Sequence, residues 1–115
     1  MILQVQKNQV TPEIAVLALS GRLLMGNDSQ QVEWTVADLL KNGIKKVVFD
    51  LTALHGIDST GVGILVVCQA KLQNAAGNLR IAGVQPGIVH ETLQMTHVDR
   101  LVRFFPTTQE ATQNF

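Results

Sequence analysis

The chain has 115 residues, 46% of them hydrophobic, a length expected to fold as one domain and to bury roughly two thirds of the surface that the unfolded chain exposes. Nine Lys plus Arg balance nine Asp plus Glu, so no global positive field is available to hold a nucleic-acid backbone or an anionic membrane. One cysteine, Cys68, and three scattered histidines, His55, His90 and His97, leave no internal disulfide and no Cys/His cluster at zinc-ligand spacing.

The predicted elements begin with a half-buried strand, because Ile2, Gln4 and Gln6 alternate with Leu3 and Val5. After the polar segment Lys7-Asn8-Gln9, read as a turn, the apolar run Ile14 to Leu19 is too short for a helix and closes at Ser20-Gly21. Together they predict a hairpin with a more central second strand. Asn27, Asp28 and Ser29 are good caps for a helix of about four turns, with Gln30 three residues after Asn27 and Val32, Val36, Leu39 and Leu40 forming its apolar stripe. Lys41 suits the negative end of that helix and Gly43 suits its stop.

Lys45 to Leu51, with Val47-Val48-Phe49 at its centre, reads as a buried strand that runs into a loop over residues 52–57. Asp58-Ser59-Thr60 opens a second helix whose stripe is Val62, Leu65, Val66, Gln69 and Leu72, ending near Asn74 and Gly77. Leu79 to Val84 is the next strand. Pro86 fits the first turn of a third helix, with Ile88, Val89 and Leu93 as its apolar face. Leu101 to Phe105 is a last strand stopped by Pro106, and Thr107 with Glu110 has the spacing of a capping box for a short final helix reaching the chain end. The order β-β-α-β-α-β-α-β-α predicts a single α/β domain whose later strands are parallel, with loops at their C-terminal ends available for function. Eleven glutamines are dispersed along the chain, which carries no internal repeat, linker or low-complexity stretch.

Small and polar residues displace hydrophobic packing in one place, His55-Gly56-Ile57-Asp58-Ser59-Thr60-Gly61-Val62-Gly63. Here a buried strand passes into a helix, where the first backbone N–H groups lack intrahelical partners and the macrodipole favours negative charge. Gly61 and Gly63 in the first turns cost about 1 kcal/mol each relative to alanine. Close approach by a partner or ligand explains that cost, and so does close approach by another part of the same domain. Asp58, Ser59 and Thr60 read equally well as ordinary caps. A phosphate on Ser59 would place about two negative charges at a site that tolerates anions, leaving the domain folded but opposing a partner fitted to a neutral hydroxyl.

The runs Val47-Val48-Phe49-Asp50-Leu51 and Ile57-Asp58-Ser59-Thr60-Gly61-Val62-Gly63-Ile64-Leu65 resemble the signature of STAS domains, particularly bacterial anti-sigma factor antagonists. Gly77 to Gly83, Met95-Thr96 and Leu101 to Phe105 follow in the family's order, so the resemblance spans nearly the whole chain. It implies a STAS fold, a mixed four- to five-stranded sheet that begins with a hairpin and carries packed helices. It also implies a serine, Ser59 by position, phosphorylated by a partner that is both an anti-sigma factor and a kinase. The unphosphorylated form binds that partner and frees a sigma factor, and a phosphatase resets the switch. On this reading Asp58, Thr60, Gly61, Val62, Gly63, Leu24 and Asp28 form the phosphorylation loop and partner-binding surface, and the kinase brings ATP and the catalytic groups. The chain itself needs no catalytic residue, metal or cofactor.

The sequence departs from the family after the second strand, where Gly21-Arg22-Leu23-Leu24-Met25-Gly26-Asn27-Asp28 stands in place of the usual acidic residues. Arg22 reads first as a solvated strand-end arginine and second as a contact for a phosphate on Ser59. The altered segment also fits a constitutive STAS scaffold in a larger assembly, such as a stressosome or lipid-transport complex. A catalytic Asp58/Ser59 dyad lacks an identified base and oxyanion site, and a phosphate-binding P-loop lacks its lysine.

The remaining chemistry-bearing residues have plain readings. His55, His90 and His97 are expected as polar surface and Cys68 as a small buried hydrophobe. Trp34 lies off the first helix's stripe and is a candidate partner-facing anchor or an edge of the core. Lys45-Lys46 is read as a solvated strand start. With no run of about 18 apolar residues and no signal-like start, the expected location is cytoplasmic, without membrane insertion. Five aromatic residues and no tyrosine leave no stacking platform for nucleic acid.

Overall fold

The computed structural model describes residues 2–26 and 29–115. Its elements in chain order are β1 (Gln4–Gln9), β2 (Ile14–Leu23), α1 (Gln30–Lys41), β3 (Lys46–Asp50), β4 (Leu54–Ile57), α2 (Ser59–Asn74), β5 (Asn78–Ala82), α3 (Ile88–Met95), β6 (Arg103–Phe105) and α4 (Thr108–Thr112), and Val98–Arg100 forms a 3-10 turn. The sheet runs β1-β2-β3-β5-β6, antiparallel in the opening hairpin and parallel thereafter. This is the expected mixed sheet of five strands, and β4 adds a sixth by pairing in parallel with the far end of β2.

Alternation along the strands builds two cores, one on each face of the sheet. Leu17, Leu19, Val47, Phe49, Leu79 and Ile81 meet Val32, Val36 and Leu39 of α1, Leu65, Cys68 and Leu72 of α2, and Val89 and Leu93 of α3. Each fully buried side chain of this size contributes about 1.5 to 3 kcal/mol. On the opposite face Val16, Val48 and Ala82 pack against Ala111 of α4, with Phe105 and Phe115 alongside.

Arg80, almost fully buried on that second face, donates to the carbonyls of Ala111, Gln113 and Asn114 at 2.9 to 3.1 Å and lies between the rings of Phe105 and Phe115. It therefore supplies the cation that the C-terminal end of α4 favours. Lys46 reaches the same segment, its Nζ donating to the Phe115 carbonyl at 2.9 Å. Lys46 is thus more than a solvated strand start, whereas Lys45 is exposed.

Several local expectations are corrected. Lys7, Asn8 and Gln9 belong to β1, and the turn falls at Thr11-Pro12-Glu13, where the Thr11 hydroxyl accepts from the N–H groups of Glu13 and Ile14. Polar residues are tolerated because β1 is an edge strand with its side chains largely in water. β2 continues past Ser20 to Leu23, which creates the edge that β4 joins.

The expected caps Asn27 and Asp28 lie outside the described residues. Ser29 precedes α1 with its hydroxyl donated to the Gly26 carbonyl at 2.7 Å and not to the helix. Gly43 does stop α1, at φ +83°. Pro86 stands outside α3, which starts at Ile88 after Gly87, and Ile88 faces solvent while Val89 and Leu93 are buried. The Thr107 hydroxyl caps α4 by accepting the Glu110 N–H at 3.2 Å, and the helix ends at Thr112. Among the described residues, no helix is long and apolar enough to cross a membrane.

Candidate functional site

The segment rich in small and polar residues lies where β4 passes directly into α2. Asp58 is the N-cap, extended at φ −115°, and its Oδ1 accepts the Gly61 N–H at 2.9 Å. Its Oδ2 accepts the Met25 N–H, also at 2.9 Å, from the segment that leaves β2. The Asp58 N–H donates in turn to the Leu23 carbonyl at 3.3 Å. One aspartate thus closes the start of α2 and holds the end of β2 beside it. These bonds, Met25 first and Gly61 second, lower the carboxyl pKa below its ordinary 3.8 against the opposing effect of burial.

Ser59 and Thr60 occupy the first turn of α2, and both are exposed. The Ser59 side chain is exposed at the positive end of a 16-residue helix, adjacent to the carboxylate that accepts the Gly61 N–H.

The two glycines have different causes. A Cβ on Gly61 would run into the Leu23 carbonyl oxygen and come within 2.7 Å of Ile57 Cγ1, so packing inside the domain requires glycine there. A Cβ on Gly63 would meet nothing within 4 Å, and the residue is exposed. Internal packing leaves the helix-propensity cost at Gly63 uncompensated.

The sequence-predicted site residues therefore separate. Ser59, Thr60, Gly63 and Leu24 are exposed around the start of α2, whereas Gly61 and Val62 are buried and turn toward β2 and the core. For those two the expectation of a partner-facing surface is corrected: the i, i+3 and i+4 positions of α2 that face the sheet include both. Asp28 lies outside the described residues. Met25, which beside Leu24 fits an alternative docking surface, is 78% exposed and fixed through its backbone to Asp58. The long-range Asp58 bond that places it has no sequence periodicity to announce it.

Arg22 is paired with Gly56 across β2 and β4, and its aliphatic stem covers that glycine. Trp34 is 63% exposed, an outward position on α1. His55, His90 and His97 are exposed. Cys68 is fully buried, and desolvation pushes its thiol pKa up to about 12. Among the described residues no group of three or more His, Cys, Asp or Glu is placed to hold a metal ion.

The protein-family model described as the STAS domain matches residues 6–111. A Thermotoga maritima protein that bears the provisional name anti-sigma factor antagonist is 22% identical over 103 residues, covering 90% of each chain. A crystal structure of a Thermotoga maritima protein under the same provisional name superposes with a TM-score of 0.84 at 21% identity, over 95% of this chain and 92% of that one. The Bacillus cell fate determinant SpoIIAA in its phosphorylated form gives 0.73 at 22% identity, over 94% of this chain and 96% of that one. The anti-sigma factor antagonist SpoIIAA in its unphosphorylated form gives 0.72 at 22% identity, over 94% of each chain. These likenesses establish the shared fold.

Proposed function

Since the chain belongs to the STAS domain family, we propose that it is a phosphorylation-controlled protein-binding module of the anti-sigma factor antagonist type, with Ser59 as the acceptor. In this reading the unmodified protein binds an anti-sigma factor that is also a serine kinase and so frees a sigma factor in the cytoplasm. Phosphorylation ends the contact, and a serine phosphatase restores it. The protein is the substrate, and ATP and the catalytic groups belong to the kinase.

The observation that carries the reading is the division of labour between two adjacent residues. Asp58 has both carboxylate oxygens committed to backbone N–H groups, while Ser59 beside it is exposed in the first helical turn. A phosphate on Ser59 would bring about two negative charges next to the Asp58 carboxylate, whose ionised form the backbone N–H groups favour. A partner fitted to the neutral surface would then meet like-charge repulsion and the desolvation of a dianion. Among the described residues the cap and core bonds do not involve the Ser59 side chain, so in this reading the fold survives modification.

Exposed Thr60, Gly63, Leu24 and Met25 complete the docking surface in this reading. Gly63 is the most telling of them, because an uncovered helical glycine with open space around it allows a partner backbone to come close. Incubation with an anti-sigma factor kinase and ATP, followed by mass-spectrometric mapping, is expected to place phosphate on Ser59 and to leave Ser59→Ala unlabelled. Equal labelling of Ser59→Ala would overturn the assignment. The competing reading, a constitutive scaffold, draws on the exposed apolar Leu24 and Met25 beside the site. It predicts that Ser59→Asp leaves partner binding unchanged.

A further inference from the structure

The outer edge of β1 is a second candidate surface, independent of the Ser59 site. Among the described residues β1 is the terminal strand of the sheet and pairs with β2 alone. The Val10 N–H donates to the Ile14 carbonyl at 2.9 Å. Carried along the antiparallel register, that bond turns the N–H and C=O groups of Gln4, Gln6 and Asn8 toward β2 and those of Val5, Lys7 and Gln9 outward. The edge follows β2 in unbroken register over six residues, carries no proline, and has one charged side chain, Lys7.

The side chains along this edge complement themselves. Ile2 and Gln4 line a hollow with Ser20, and Gln6, Asn8 and Val10 line another with Val16 and Ala18, so these five edge residues share the face opposite α1, α2 and α3. Ile2 and Val10 stand at its two ends, 72% and 47% exposed, with three amide side chains between them. The series Ile2, Gln4, Gln6, Asn8, Val10 thus reads alike in both directions: apolar, amide, amide, amide, apolar.

We infer that β1 is a self-association edge, and that two copies of the chain pair β1 to β1, antiparallel, about a two-fold axis at Gln6. Outward groups select an axis centred on a residue, and side-chain chemistry then selects Gln6 from its neighbours. With the axis there, Gln6 faces Gln6, Gln4 faces Asn8, and Ile2 faces Val10 across the closely spaced pairs of the ladder. Val5 and Lys7 of the two copies exchange the outward hydrogen bonds, and each lysine faces a valine. An axis at Lys7 would set two ammonium groups opposite each other, and an axis at Val5 would leave Val10 unpaired. The result is a C2 dimer with one continuous sheet and both Ser59 loops outside the interface.

A single strand pair buries less than a standard interface of about 1,600 Å², so the dimer is weak, with a dissociation constant on the order of 100 µM. Sedimentation equilibrium from about 10 µM to about 1 mM is expected to show a monomer-dimer equilibrium in this range. Gln6→Lys and Gln6→Glu, both at an exposed position, are each expected to remain folded and monomeric, and an equimolar mixture of the two is expected to regain dimer. Gln6→Cys is expected to form a disulfide-linked dimer on mild oxidation, since directly opposed residues of this pair type have Cα atoms about 4.5 Å apart. A wild-type chain that stays monomeric throughout would overturn the inference. So would undiminished dimerisation of the two charged variants, or a mixture of them that fails to associate.

Discussion

Asp58 and Met25 are joined side chain to backbone across 33 residues of chain, Oδ2 accepting the Met25 N–H at 2.9 Å. Because the other oxygen of the same carboxylate caps α2 at Gly61, the position of the exposed Met25 segment and the start of the Ser59 helix are set by one group. A substitution that spares the helix cap but frees the segment should therefore separate structure from docking.

Asp58→Asn is that substitution, because an amide retains one carbonyl oxygen and cannot accept at both positions. The expected loss is about 1 to 2 kcal/mol of stability, within the range of N-cap and charged hydrogen-bond losses. The sign with pH follows from the lowered folded-state pKa. The wild-type contribution is full above the unfolded value near 3.8 and fades as pH falls through the lower folded value. Urea titrations at a series of pH values should show wild type losing stability on acidification below about pH 4 more steeply than the variant.

The two glycines of α2 should respond in opposite directions. Gly61→Ala forces a methyl against the Leu23 carbonyl and Ile57, and about 2 to 3 kcal/mol of stability should be lost. Gly63→Ala meets open space and should gain about 0.5 to 1 kcal/mol. Thermal melts check both. If Gly63 is kept for close approach by a partner, the stabilised Gly63→Ala protein should nevertheless bind the kinase partner at least tenfold more weakly.

Most of the architecture was legible because it is periodic. Val32, Val36 and Leu39 announce α1, Val47-Val48-Phe49 announces β3, and Asp58 at the head of an apolar stripe announces α2. β4 was not, since Leu54-His55-Gly56-Ile57 has only two inward positions and exists as a strand only because β2 runs on to offer it an edge. The polar half of β1 resembled a turn for the same reason: a strand at the rim needs little apolar surface.

Polar groups satisfied over long sequence distances were also hidden. Gln69 lies on the buried stripe of α2, as the periodicity predicts. Its role, bonding Leu79 N–H, Asn78 and the Leu101 carbonyl at 2.8 to 3.0 Å, depends on three segments that only tertiary packing brings together. In the site, the exposed Ser59 and the capping Asp58 were readable from their position at a helix start. The inward direction of Gly61 and Val62 and the anchoring of Met25 required the register between β2 and β4.

Arg80→Ala should loosen the C-terminal segment. It removes three hydrogen bonds to the carbonyls of residues 111–114 and the cation between Phe105 and Phe115. We expect a loss of about 3 kcal/mol and, by hydrogen exchange, faster opening of α4 than of α2. Arg80→Lys should recover only part of this, because a compact ammonium lacks the planar fork of donors and the face that stacks on the two rings.

Cys68 should be silent toward thiol reagents in the folded protein. Its pKa near 12 and full burial leave almost no accessible thiolate at neutral pH. Labelling with an aromatic disulfide should proceed only at the rate of opening and should accelerate in step with denaturant-induced unfolding.

Calorimetric titration of the kinase partner with unmodified protein and with protein fully phosphorylated at Ser59 tests the central claim most directly, provided circular dichroism is recorded on both. Matching spectra and melting transitions are expected, with affinity lowered by about a hundredfold or more, about 3 kcal/mol of charge repulsion and desolvation. Equal affinity for the two forms, or a phosphorylated protein that has lost its fold, would contradict it.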